Sequence, residues 1–261
     1  MEKAKIGIIG GTGFEKLFKD MKQACIETPY GAVTLFVGKI ANRKTVFLPR
    51  HGSEHLVPPH KINFKANIYA LYTIGVERIL ATNAVGAINR DFKPGDIVIP
   101  HDFIDFTKLR PATFYDAAPV THTDFSQPYC PEARNFIIKT AGKIGLKVHE
   151  RAVLACTEGP RYETPAEIEM FRRLCCDIVG MTGFPEVVLA RELEMCYATV
   201  CYVSNMAAGA QKKLTALEIS AISKDVLPMV EQLLKETSKA LPLERSNKCP
   251  CATALKEARF K

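Results

Sequence analysis

The sequence has no stretch of about 18 uncharged apolar residues, the length a membrane-spanning helix needs. Its opening, MEKAKIGIIGG, holds only a short apolar run that passes directly into glycines. Neither a membrane span nor a signal peptide is read there, and a cytoplasmic location is expected. Runs of about five or six like charges are also missing, because the lysines and arginines are scattered. The net charge of +7 therefore reads as a solvated basic surface with room for one cleft that takes an anion. Nucleic-acid and membrane partners are not expected. No low-complexity linker or internal repeat divides the 261 residues, and 47% apolar content fills one core. One domain over residues 1–245 is expected, followed by a tail over residues 246–261.

The nucleotide loops with simple signatures are absent too. Gly10-Gly11-Thr12-Gly13 lacks the Gly-Lys-Ser/Thr of a Walker loop and the third glycine of GxGxxG. A nicotinamide-dependent dehydrogenase, which would use the same opening strand, is disfavoured on that ground. Nine cysteines in a chain this long do not form a small disulfide framework, and several stand in apolar runs, so most are expected to be buried free thiols. Cys249-Pro250-Cys251 is the exception. Its sulfurs could pair with each other, clasp another segment, or stay unpaired in a mobile tail. Two cysteines are too few to make a zinc site alone.

What is present is an alternation of short apolar strands and helices. Lys5–Ile9 runs into the glycine loop, residues 31–37 and 44–48 read as a strand pair, and His60–Ile74 has helical spacing stopped by Gly75. Arg78–Ala81 is a strand ending at Thr82-Asn83-Ala84-Val85-Gly86, and Asp96–Pro100 is another. A helix follows Pro131, then a strand over Val153–Cys156. Thr164-Pro165-Ala166-Glu167 and Thr215-Ala216-Leu217-Glu218 have the form of capping boxes, and the second opens a long helix in which Pro228 is expected to make a kink. Strands over Ile178–Met181 and Tyr197–Val203 enclose a helix over Pro185–Glu194. The pattern predicts an α/β fold with a central mixed, largely parallel sheet flanked by helices. In such sheets ligands gather at the carboxyl ends of the strands. Gly10–Gly13, Thr82–Gly86, Thr157–Glu163, Met181-Thr182 and Ser204-Asn205 should therefore converge.

Two further features carry chemistry. Arg50 and His51 can give a phosphate dianion a cation and an imidazole donor, although such a pair is also common surface decoration. In Thr157-Glu158-Gly159-Pro160-Arg161-Tyr162-Glu163-Thr164, Tyr162 can stack on a flat heterocycle and Glu163 can accept from ring N–H groups. Equally, Tyr162 could pack and Glu163 could serve the helix dipole.

Taken together, GGTG, RHG, NIYAL, TNAVG, PGD, FYD, EGPRYET, GMTGFPEVVLARE and SN stand in an order that resembles the trimeric purine nucleoside phosphorylases and the methylthioadenosine and methylthioinosine phosphorylases. The likeness runs from about residue 5 to 210. It implies phosphorolysis of a purine nucleoside without a metal or organic cofactor, inorganic phosphate being the co-substrate. It implies a phosphate site of Thr12, Arg50, His51, Thr182 and the Ala84 backbone N–H. Met181 and Asn83 would lie at the ribose, and Tyr162, Glu163 and Asn205 at the base. Asn205, His51 and Glu163 would act in catalysis, with Asn205 donating to N7 as negative charge builds on the leaving purine. The resemblance further implies a homotrimer in which His122 approaches the 5′ group, often of a neighbouring subunit.

Within that resemblance, adenine-preferring members tend to carry serine and aspartate where Glu163 and Asn205 stand, so this pair implies a 6-oxopurine. Protonated N1 of hypoxanthine or guanine donates to Glu163, whereas N1 of adenine would face it acceptor to acceptor. A buried mismatch of that kind costs about 1–3 kcal/mol per group. No histidine follows His149 to meet a 5′-hydroxyl, which favours S-methyl-5′-thioinosine over inosine and guanosine. S-Methyl-5′-thioadenosine is the alternative substrate, and a catalytically inactive nucleoside-binding protein is the non-enzymatic one.

Overall fold

The computed structural model describes residues 4–11, 13–52, 56–211 and 215–259. Among the described residues, ten strands form one sheet. β1 (Ile6–Gly10) is buried along its whole length and lies between β4 (Arg43–Pro49) and β5 (Arg78–Ala87), parallel to both. β10 (Cys196–Met206) pairs parallel with β5. β9 (Ile178–Gly180) joins the end of β5 in antiparallel fashion and connects the sheet to β8 (Val153–Thr157) and β7 (Asp102–Phe106). β2 (Lys22–Ile26) and β3 (Val33–Ile40) complete the other edge as antiparallel ribbons, and β6 (Ile97–Val98) pairs with β10.

Near-continuous Ile, Val, Leu and Ala in β1, β5 and β10 fit strands covered on both faces. One face carries α2 (Phe64–Thr73) and α5 (Glu186–Glu192), which bury Phe64, Ile68, Leu71, Val187 and Leu189 against Ile9, Ile79 and Tyr197. The opposite face carries α3 (Pro131–Lys143) and α6 (Ala216–Ala240), whose Ile137, Val230, Leu233 and Leu234 pack on Ile8, Leu80 and Val200. The short α1 (Glu15–Phe18) follows β1, and α4 (Pro165–Arg173) packs Ile168 and Phe171 near Ala155. Among the described residues no helix is long and apolar enough to cross a membrane.

Several expected boundaries shift for local reasons. β5 does not end at Ala81, because β10 continues to pair with it from Thr82 to Ala87. The helix expected from His60 begins at Phe64. Pro59–Lys61 forms a 3-10 turn, and Asn63 caps the helix by accepting from the Ala66 N–H at 3.1 Å. The strand over Asp96–Pro100 shortens to two residues. The Thr164 capping box forms with both of its hydrogen bonds, Glu167 N–H to Thr164 Oγ1 at 3.2 Å and Thr164 N–H to Glu167 Oε2 at 2.7 Å. The one expected at Thr215–Glu218 involves side chains outside the described residues.

Candidate active site

A cavity of about 660 Å³ opens at the carboxyl ends of β1, β5, β9 and β10, a size suited to a small organic molecule. Gly11, Arg50, His51, Thr82, Ala84, Gly86, Tyr162, Glu163, Met181, Thr182, Ser204 and Asn205 line it, so the strand ends expected to converge do so.

Arg50 follows β4, and its N–H donates to the Gly10 carbonyl at 2.9 Å, tying it to the end of β1. The residue is buried, and its guanidinium forks onto Glu186 at the start of α5, Nε to Oε1 at 2.6 Å and Nη2 to Oε2 at 2.9 Å. Nη1 donates to the Thr82 carbonyl at 2.7 Å, and the Tyr197 hydroxyl donates to Glu186 Oε2 at 2.8 Å. Burial works against the charge on Arg50, but the Glu186 carboxylate outweighs it and holds the guanidinium charged. Burial and the same carboxylate push the Tyr197 phenol well above its usual range. The result is a fixed cation whose direction is set by three buried acceptor contacts.

His51 Nδ1 lies 2.8 Å from the Val57 carbonyl. A carbonyl only accepts, so Nδ1 carries the proton, and Nε2 becomes a donor when the ring is protonated. Thr182 is buried, and its Oγ1 accepts from Asn83 Nδ2 at 2.6 Å, which leaves the hydroxyl hydrogen for donation.

Across the cavity, Tyr162 is 42% exposed, enough bare ring surface for a planar ligand to cover. Glu163 Oε1 accepts from Thr157 Oγ1 at 2.7 Å, which orients the carboxylate. Asn205 Nδ2 donates to the Met206 carbonyl at 2.9 Å, and Oδ1 accepts from Ser204 Oγ at 2.7 Å. Because the Met206 carbonyl can only accept, the amide is fixed with its NH₂ end on that side. A β-bulge makes this geometry. Val203 pairs with Val85 and Asn205 with Gly86, so Ser204 is the extra residue. Gly86 suits this close approach, since a Cβ there would lie 3.1 Å from Asn205 Nδ2 and press the amide aside.

Three expected site residues are not among those gathered. Thr12 lies outside the described residues. Asn83 is buried but does not line the cavity; its Nδ2 is spent on Thr182, and its Oδ1 accepts from Thr199 Oγ1 at 2.6 Å. Its side chain thereby links Thr182 to Thr199. His122 sits in a separate surface recess with Thr113, Tyr115 and Glu192.

Sequence reasoning missed Glu186, and the sequence held a signal for it. A carboxylate in the apolar run Phe184-Pro185-Glu186-Val187-Val188-Leu189-Ala190 needs a buried cationic partner. The apolar wall of Phe14, Val57, Pro58 and Ile219 was also missed, because those residues come from distant segments.

Comparison with known proteins bears on this geometry. Residues 5–239 match the phosphorylase superfamily. The chain is 49% identical over 256 residues to the probable S-methyl-5′-thioinosine phosphorylase of Methanopyrus kandleri, covering 97% of this chain and 98% of that one. It is 48% identical to the 6-oxopurine nucleoside phosphorylase of Pyrococcus furiosus, with 97% and 98% covered. Among solved structures it is similar to methylthioadenosine phosphorylase from Schistosoma mansoni in complex with adenine, at 31% identity and a TM-score of 0.92, covering 98% of this chain and 99% of that one. With the match spanning nearly the whole sheet and every strand end that lines the cavity, the chain belongs to the phosphorylase superfamily.

Proposed function

We propose that this protein uses inorganic phosphate to cleave the N-glycosidic bond of 6-oxopurine nucleosides, releasing the base and a ribose 1-phosphate. The observation that carries this reading is the presence of Glu163 and Asn205 in the same cavity as the Glu186-fixed Arg50. Arg50, His51, Thr182, the Ala84 N–H and Thr12 bind phosphate. Met181 lies against the ribose. Tyr162 stacks on the base, the free oxygen edge of Glu163 accepts from N1–H, and the remaining Asn205 N–H donates toward N7. As the C–N bond breaks, positive charge on the ribose meets the bound phosphate and negative charge on the purine meets Asn205. Phosphate then attacks the anomeric carbon, and the base departs with the bonding pair.

The apolar wall of Phe14, Val57, Pro58 and Ile219 supports a methylthio 5′ group over a hydroxyl, and so does the relative named for methylthioinosine. The subunits form a homotrimer in which His122 of one chain approaches the 5′ group bound by the next, an arrangement supported by its place in an open recess.

The test is phosphate-dependent base release from inosine, guanosine, adenosine, methylthioinosine and methylthioadenosine. Methylthioinosine should give the highest kcat/KM, followed by inosine. Preference for methylthioadenosine, the reading favoured by the likeness to the Schistosoma mansoni enzyme, would overturn the assignment to Glu163 and Asn205. No release from any of the five would leave a nucleoside-binding protein.

A further inference from the structure

Away from the cavity, four buried cysteines from three segments meet. Cys130 caps α3, its Sγ accepting from the Ala133 N–H at 3.4 Å. Cys196 begins β10. Cys249 and Cys251 flank Pro250, where a 3-10 turn begins. All four sulfurs lie within 4.8 Å of one another, with Cys130 and Cys249 3.8 Å apart and Cys196 and Cys249 3.5 Å apart. A disulfide would need about 2.05 Å. A tetrahedron of sulfurs around a cation at about 2.3 Å has edges of about 3.8 Å, close to the spacing seen. Leu241, Ile137 and Ala198 belong to the same apolar cluster.

A second observation concerns charge. Arg78 pairs in register with Cys196 on the adjacent parallel strand, so the two side chains share a sheet face. It is fully buried and binds Glu132 and the Glu244 carbonyl through Nη2, whereas Nε and Nη1 have no hydrogen-bond partner among the described residues. Buried N–H donors without acceptors are rare, and a guanidinium beside a dianionic centre would be compensated by it.

We propose that Cys130, Cys196, Cys249 and Cys251 form a structural zinc site that fastens the C-terminal segment to the body of the protein. Four thiols and one Zn²⁺ give a tetrathiolate complex of charge −2 and release four protons, with no change in oxidation state. Four thiolates in a closed tetrahedral array suit a structural zinc, and four protein ligands leave no open position for catalysis. The one-residue spacing of Cys249 and Cys251 is shorter than the usual two to four, and the turn at Pro250 brings both sulfurs into the cluster. Beyond the clasp, the Ala258 carbonyl accepts from His122 N–H at 2.7 Å and Arg259 bridges to Thr121. The zinc thereby also steadies the loop that carries His122.

The test uses the full-length, untagged protein purified with reductant and without chelator. Elemental analysis should find one zinc per chain, and native mass should exceed denatured mass by one zinc. After demetallation, cobalt should bind with the visible bands of tetrahedral cobalt thiolate. Cys249→Ser and Cys251→Ser should each reduce zinc content at least tenfold, while Cys25→Ser and Cys175→Ser, at exposed positions, should retain it. Reduced wild type that carries no zinc and takes up no cobalt would overturn the proposal. So would an intact mass four hydrogens short, which marks two disulfides, or equal metal loss in the Cys25 variant. The wild-type measurements decide the matter even where a serine variant fails to fold.

Discussion

Arg50 presents to the cavity a charge that another residue has aimed. Glu186 holds two of its nitrogens and Thr82 a third, so the orientation of the guanidinium is fixed. Glu186→Gln keeps one hydrogen bond but removes the countercharge. It should raise the KM for phosphate about tenfold and leave the nucleoside KM nearly unchanged, a split that separates positioning from general loss of structure. Glu186→Ala, which strands a buried cation, should also cost about 3–5 kcal/mol in denaturant unfolding. Asn205→Ala should lower kcat about 100-fold with a smaller effect on KM, as expected when a donor to developing charge is lost. If kcat is unaffected, Asn205 is not the group that meets the leaving base. Tyr162, Glu163 and Asn205 were legible in the sequence as cavity-lining residues because each stands at or beyond the carboxyl end of a strand. Glu186 was not, because a glutamate at the start of a helix also has the ordinary task of serving its dipole.

Among the elements, α4 links local sequence most directly to the site, since its cap begins one residue after Glu163. The hydrogen bond from Arg161, then that from the Thr164 N–H, holds the Glu167 carboxyl down at about 2, against an ordinary value of 4.5. A depressed carboxylate stabilises the folded state above its unfolded pKa, and that contribution fades as pH falls from about 4.5 toward 2. Glu167→Gln should therefore flatten the acid limb of the thermal midpoint, with little effect near neutrality beyond the cost of a weakened cap. Thr164→Ala should cost about 1 kcal/mol at neutral pH. The four-residue signature of this cap made α4 readable in advance. β2 and β7 were not, because edge strands such as Lys22–Ile26 and Asp102–Phe106 bury too little of either face to show a clear period. The extent of β5 was hidden for a different reason: its last six residues are strand because β10 lies beside them.

On the scale of the whole molecule, the layered α/β plan was legible from alternating elements, whereas contacts between distant segments were not. Cys130 and Cys249 stand 119 positions apart, and nothing in either local sequence announces the other. The proposed trimer yields a prediction of the same long-range kind. If each site combines Arg50 of one chain with His122 of the next, Arg50→Ala and His122→Ala chains refolded together should regain activity that neither homomer shows. At equal mixing about a quarter of the sites would be intact. Activity no greater than the mean of the two homomers would place His122 outside the site. The bulge at Ser204 has a consequence for how such a protein can change over time. Asn205 has an address as well as an identity: it stands opposite Gly86 only because Ser204 is looped out between two helix-covered faces. On the proposed reading, exchanging the residue at that address would change which base is read and leave the reader where it was. Inserting one residue into β10 ahead of Ser204 would instead deliver Ser204 to the address and carry Asn205 past it. A lineage can therefore alter its diet by substitution here, while insertions and deletions in the same strand are closed to it.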